Sequence, residues 1–276
     1  MISKEWVQYT HLEKLYGYLP GMPDAVPAVL GMSAEQHAAA VDRFDRRARH
    51  AAEGLLDDPT MAEWVETLPL VAGATVLAVG DSITDDLQSW FEILRHAVDR
   101  RRPGHGVRLV NGGLSAHTTA MILRRWPATV TAVRPDLVVC ALGGNDVARV
   151  GPDPARSAVS PRETLDNMRE LHRIATLDGV RSWIWVTPAP VVEHRVAQYP
   201  PFRIGQSSWR NDDITALAGR MGEFAEPVVD LTRVFGVPAD PALQGPDGVH
   251  PTIDGQAAIA RAVLAAWAAG PTDPTS

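Results

Sequence analysis

Five short apolar runs, at residues 75–79, 107–110, 137–142, 182–186 and 228–231, leave this chain few folds to choose from. None alternates strictly with polar residues, which predicts strands covered on both faces. Between them lie stretches of helical period, roughly 85–101, 118–133, 161–177 and 211–224, with a last one near 255–269. A β-α unit repeated five times calls for a parallel sheet, because parallel neighbours need crossover connections and these are almost always right-handed. The expected fold class is therefore α/β, a five-stranded parallel sheet with helices on both faces. Cys140, inside the third run, reads as a buried strand residue.

Residues 1–70 carry no strand pattern. Ser33 and Gln36 have the spacing of a capping box, which predicts a helix running to about residue 56, and a second short helix should follow Pro59. The region holds six basic and eleven acidic residues, so most of the chain's net charge of −7 sits there. Its apolar positions Trp6, Tyr9, Leu12, Leu15, Tyr16, Phe44, Trp64 and Leu68 imply packing against a partner surface. The expected organisation is a helical N-terminal extension over 1–70, docked on a sheet domain over 71–270, with a flexible tail over 271–276. The extension could cap a pocket or form a subunit contact.

Basic residues are scattered, which disfavours nucleic acid and anionic lipid as partners. No run of about 18 apolar residues occurs, so no membrane insertion is expected. The first residues have no basic stretch leading into an apolar one, which points to a cytoplasmic protein. Cys140 is the single cysteine, ruling out an internal disulfide and a cysteine-based zinc site. Asp247, His250 and Asp254 are close in sequence, but no cluster offers further ligands, so neither a metal nor a cofactor is expected.

Chemistry gathers where strands end. Gly80-Asp81-Ser82-Ile83-Thr84 follows the first run and puts a serine hydroxyl at the carboxyl edge of the sheet, where α/β folds place their ligand sites. Taken alone, Ser82 or Thr84 could simply cap a helix. A serine nucleophile needs a base. Asp247-Gly248-Val249-His250, just before the final helix, can fold back so that the carboxylate meets one ring nitrogen and the other faces outward, although the same four residues also suit a surface turn. Donors for a negative oxygen are available from Gly113, after the second run, and Asn145, after the third; each could equally serve its own loop.

Together, Gly80-Asp81-Ser82, Gly113 with Asn111 two residues before it, Gly143-Gly144-Asn145-Asp146 and Asp247-Gly248-Val249-His250-Pro251 resemble, in order, the four blocks of the GDSL or SGNH hydrolase family. The likeness spans about residues 73–269. It implies a flavodoxin-like three-layer α/β/α sandwich, a catalytic triad of Ser82, His250 and Asp247, and an oxyanion hole formed by Ser82, Gly113 and Asn145. The chain departs from the family where Asp85-Asp86 and Ala116 stand in place of frequent glycines, which bears on the shape of the acyl pocket. Residues 1–70 lie outside the likeness.

The function so implied is a serine esterase acting on a small-molecule ester, with a small acyl group such as acetyl on a sugar or small alcohol. An acyltransferase working through the same acyl-enzyme, or an inactive binding module, are the alternatives. Ser115, in Gly113-Leu114-Ser115-Ala116-His117, is a rival nucleophile because it nearly matches the G-x-S-x-G elbow. The long segment after the fourth run carries Phe202, Arg203 and Trp209 as candidate substrate-binding residues, though Phe202 and Trp209 could instead pin that loop to the surface. His117 and His194 receive no role.

Overall fold

The computed structural model describes residues 4–104, 106–152 and 156–270; the expected tail at 271–276 lies outside them. Strands β1 (Thr75–Gly80), β2 (Arg108–Asn111), β3 (Leu137–Ala141), β4 (Arg149–Val150), β5 (Ser182–Val186), β6 (Ser207–Ser208) and β7 (Val228–Val229) form two sheets. The larger runs β2-β1-β3-β5-β7 and every pair in it is parallel. β4 and β6 form a small antiparallel ribbon beside it, tied down by Arg149, whose guanidinium donates to Asp213 at 2.7 Å.

The alternation of side chains along each strand sorts the core into two layers. Val76 and Ala78 of β1, Leu137 and Val139 of β3, and Ile184 and Val186 of β5 face the helices Trp90–Arg101 and Ile253–Ala269. Their neighbours Leu77, Val79, Val138, Cys140, Trp183 and Trp185 face the helices Thr119–Val133 and Pro161–Leu177. Cys140 is fully buried, as expected. Trp126 is buried as well and donates its indole N–H to the Leu171 carbonyl at 2.7 Å, so the ring removes its apolar surface from water without orphaning its polar atom. Burial of one large side chain of this kind contributes about 2–3 kcal/mol.

Four expected boundaries move, each for a local reason. β2 is an edge strand whose cover is thin: Arg108 is exposed, and Leu109 and Val110 are half-buried, one against each layer of the core. β7 stops at Val229 because the Asp230 carboxylate accepts the Thr232 N–H and starts the helix Leu231–Phe235. The helix expected over 85–101 is split: a single turn, Ser82–Asp85, ends where Asp86 turns extended, and a separate helix, Trp90–Arg101, starts at the Ser89 cap. The segment from 188 to 210 is not one loop, since it holds the helices Glu193–Gln198 and Pro200–Ile204.

Ahead of the sheet, the Ser33–Gln36 capping box opens the helix Ala34–Leu56, and Asp58 caps the helix Pro59–Thr67. Phe44, Ala48, Ala52 and Leu55 turn one face of the longer helix inward, and both helices pack on Trp90–Arg101 and Ile253–Ala269. Trp6 and Tyr16 are exposed, contrary to the packing expected of them. Among the described residues no helix is long and apolar enough to cross a membrane.

The strand order carries the functional consequence. The chain passes from β1 to β2 on one side, then crosses to β3 on the other, so the loops after β1 and β3 diverge and leave a crevice at the carboxyl edge.

Candidate active site

Ser82 stands two positions after β1, where the Asp81 carboxylate accepts the Ile83 N–H and fixes the turn. Because Ser82 opens its helical turn, its own N–H has no acceptor one turn back. The Ser82 hydroxyl lies 2.8 Å from His250 Nε2, and His250 Nδ1 lies 2.6 Å from Asp247 Oδ2. The other Asp247 oxygen accepts the Val249 and His250 N–H groups, both at 2.9 Å, so the carboxylate is held by the loop it orients. Gly248 permits the fold-back. Its φ is +76° and a Cβ there would fall 2.6 Å from the Val192 carbonyl oxygen. A hydroxyl, an imidazole and a carboxylate linked in this order can move a proton off the hydroxyl while the carboxylate steadies the cationic ring.

The loops after β2 and β3 bring the candidate donors. Gly113 is buried against the Ser82–Asp85 turn so closely that a Cβ would sit 2.4 Å from the Asp85 nitrogen. Its N–H donates to Asn111 Oδ1 at 3.0 Å. The Asn145 amide donates to the His117 carbonyl at 3.2 Å, which engages one of its two hydrogens. Ser82 and Asn145 line a common apolar cavity with Gly144, Pro188, Trp209 and Ile214. Gly113 is not in its wall.

Of the three candidate substrate-binding residues, the structure brings Trp209 to this cavity, its indole N–H donating to the Gly144 carbonyl at 2.8 Å. Phe202 packs on Trp209 with ring centroids 4.9 Å apart and so supports the wall without being part of it. Arg203 is exposed and lies outside the cavity wall. The rival serine is otherwise employed: the Ser115 hydroxyl donates to Asp85 Oδ2 at 2.9 Å, whereas His250 Nε2 is paired with Ser82. His117 is buried with Nδ1 on the Ser115 carbonyl, and His194 is exposed.

Buried acids shape the field. Burial alone would depress the His250 pKa, but the hydrogen bond and charge of Asp247, backed by Asp81 and Asp86, hold it above the usual imidazole value. Burial also works against ionised Asp247, yet its bonds to His250 keep it below the ordinary carboxylate range. Asp81 and Asp86 go the other way, each pushed up to about 6 by burial. Among the described residues no group of His, Cys, Asp and Glu could hold a metal ion.

The site also contains residues from far upstream that sequence reasoning did not place there. Tyr9 lies against the His250 ring, centroids 4.7 Å apart. Gln8 donates to Asp86 Oδ2 at 2.8 Å, and the His11 ring nitrogen Nδ1 and the Lys14 ammonium both meet Asp85 Oδ1, at 2.7 and 2.6 Å. The one available signal was Asp85-Asp86 itself, two consecutive acids where a glycine is frequent: buried carboxylates need partners, and the partners had to come from somewhere.

The profile of the GDSL-like lipase/acylhydrolase family matches residues 78–258. The chain belongs to this family. Similar proteins include the esterase TesA of Pseudomonas aeruginosa, 32% identical over 115 residues, or 40% of this chain and 52% of TesA. The match thus spans about half the length of that relative. An acetylxylan esterase of Geobacillus stearothermophilus is 26% identical over 222 residues, 70% of this chain and 93% of the relative. Among solved structures, LAE5, an α/β hydrolase enzyme from the metagenome of Lake Arreo, superposes with a TM-score of 0.53 at 27% identity, covering 71% of this chain and 96% of its own. A catalytic mutant of the Geobacillus acetylxylan esterase gives 0.54 at 23% identity, covering 72% and 96%, and shares the fold. As a GDSL-like acylhydrolase family member, the chain places Ser82, Gly113, Asn145, Asp247 and His250 inside the matched span, and residues 8–14 outside it.

Proposed function

We propose that this GDSL-family protein is a serine esterase. The 2.8 Å approach of the Ser82 hydroxyl to a carboxylate-anchored imidazole carries the reading, because no purely structural need brings residues so distant in the chain into that order. Ser82 Oγ attacks the ester carbonyl carbon while its proton passes to His250 Nε2, giving a tetrahedral oxyanion. Collapse of this intermediate breaks the carbon–oxygen bond to the alcohol, which leaves with the proton from His250. Water then repeats the sequence on the acyl-enzyme, its proton going to His250 and from there to Ser82, and the acid is released. Asp247 stabilises the imidazolium at both stages.

The Ser82 N–H and the second Asn145 amide hydrogen are the donors nearest to hand for the oxyanion. Gly113 joins them when its N–H turns away from Asn111. The space beside Ser82 is small, about 40 Å³, and Trp209 closes one side of it. A short acyl group fits, and the acetyl ester named in the Geobacillus relative makes acetylated sugars or small acetylated alcohols the leading substrate class.

A series of p-nitrophenyl esters of rising acyl length, run beside acetylated sugars, tests this. Turnover is expected with acetyl and propionyl esters and should decline as the acyl chain outgrows the cavity; rates that rise toward long acyl chains would exclude the acetyl assignment. The pH profile gives a second check. The base must be unprotonated to accept the serine proton, so kcat/KM falls as pH is lowered, and since His250 is held above the ordinary 6.5 the midpoint lies above that value. A flat profile from about pH 5 to about pH 8 contradicts His250 as the base.

A further inference from the structure

Lys14 is three-quarters covered, and its ammonium meets three acceptors: Asp85 Oδ1 at 2.6 Å, the Gly113 carbonyl at 3.2 Å and Asn111 Oδ1 at 3.4 Å. Asp85 closes the turn that begins with Ser82, while Asn111 ends β2 and Gly113 belongs to the loop after it. We propose that Lys14 is a positioning residue for the oxyanion hole, clamping the nucleophile turn to the glycine loop from outside the family-matched span. This rests on the roles given above to Ser82 and Gly113.

The clamp is built for fixed geometry. Asp85 is almost fully buried and spends both oxygens across the same seam: Oδ1 on His11 and Lys14, Oδ2 on the Ser115 N–H and hydroxyl. Burial opposes its ionisation, but the bonds and charge from His11 and Lys14 keep it ionised, below the usual carboxylate range. The two loops have no slack between them, since even one methyl group on Gly113 would collide with the Asp85 backbone. With its carbonyl held by the ammonium, Gly113 is kept against the nucleophile turn, while its N–H, which belongs to the preceding peptide, keeps the freedom to turn from Asn111 to an oxyanion.

Asn111 explains the third contact. In the resting site its Oδ1 holds the Gly113 N–H at 3.0 Å. When that N–H turns to a developing oxyanion, the Lys14 ammonium remains as a donor to Asn111 Oδ1, so the turn leaves no buried acceptor unpaired. Lys14 is itself anchored, its backbone carbonyl accepting from the Arg125 guanidinium at 3.1 Å. The upstream segment is further fixed by the Leu87 N–H on the Gln8 carbonyl at 3.1 Å.

The alternative role for Lys14 is to neutralise Asp85 and nothing more, and the experiment separates the two. Lys14→Met and Lys14→Met/Asp85→Asn are assayed on p-nitrophenyl acetate beside Ser82→Ala, with thermal unfolding of each. Misplacement of catalytic groups by a fraction of an ångström to an ångström costs up to about 10²-fold. The expected result is therefore a fall in kcat of about tenfold to about a hundredfold in Lys14→Met, with KM within about twofold. The double variant, which no longer buries an unpartnered carboxylate, should fold and remain slow. Wild-type kcat in a folded Lys14→Met, recovery of kcat in the double variant, or a loss confined to KM overturns the proposal. Were Ser82→Ala to retain turnover, the failure would instead lie in the assignment of the nucleophile.

Discussion

Ser82→Ala is expected to lower kcat on p-nitrophenyl acetate by about 10⁶-fold, the scale on which loss of a serine nucleophile removes covalent catalysis. The side chain makes its hydrogen bond to His250 and caps nothing, because the cap of its turn is Asp81. The variant should therefore keep the thermal stability of the parent, and a fluorophosphonate probe that labels the wild-type protein should leave it unmarked. Ser115→Ala provides the contrast. It removes one of four hydrogen bonds to Asp85, two of them from Ser115 itself, and should slow turnover only modestly. Should Ser115→Ala be the dead enzyme and Ser82→Ala the live one, the nucleophile would belong to the loop after β2.

Asn145→Ala should cost about 10²–10³ in kcat, or about 3 kcal/mol of transition-state stabilisation, with KM little changed. The residue is half-buried at the mouth of the cavity, and its amide has one hydrogen on the His117 carbonyl and one to offer the oxyanion. Its loss leaves the His117 carbonyl short of one donor, so a small drop in unfolding temperature is expected beside the large kinetic effect. An enzyme of normal kcat would take Asn145 out of the hole. The two predictions are informative together: Ser82→Ala asks whether a covalent step exists, and Asn145→Ala asks how the charge it creates is held.

The fold, and the placing of Ser82, Gly113 and Asn145 on loops at one edge of the sheet, were legible from the apolar runs, whereas Asp247 and His250 were singled out by their Asp-x-x-His spacing and by the family resemblance. Runs such as Leu137-Val138-Val139-Cys140 can be covered only from both sides, and that fact sets the parallel sheet, its crossover helices and the edge where loops gather. Once β1, β2 and β3 are neighbours, residues that follow them directly have little freedom to be elsewhere. The errors came where a side chain overrides the apolar pattern. Asp86 and Ser89 break the helical stretch expected over 85–101, and Asp230 ends β7 early. Arg203 had suitable chemistry and position in the chain, but the short helix Pro200–Ile204 carries it outward.

Tyr9 was legible as a residue that packs on another surface but not as a neighbour of His250, and the contributions of His11 and Lys14 were not legible. They lie in a segment without periodicity, and their partners are about seventy to a hundred positions further on for His11 and Lys14 and far beyond that, at His250, for Tyr9. Local pattern carries no information across such a gap. Only the requirement that buried Asp85 and Asp86 find donors pointed beyond the matched domain, and it did not say where.

The pairing of Ser82 with His250 joins positions 168 residues apart, and Gln256, in the helix that follows His250, reaches back to the Ile83 carbonyl and the Trp90 N–H. Such closures come late in folding because chain entropy must be overcome before they reward it. Under the proposed mechanism the serine is synthesised long before its base, and it remains an ordinary alcohol until the final helix has docked. On that reading a partially made or prematurely terminated polypeptide hydrolyses no ester, and competence arrives only with the segment that carries Asp247 and His250.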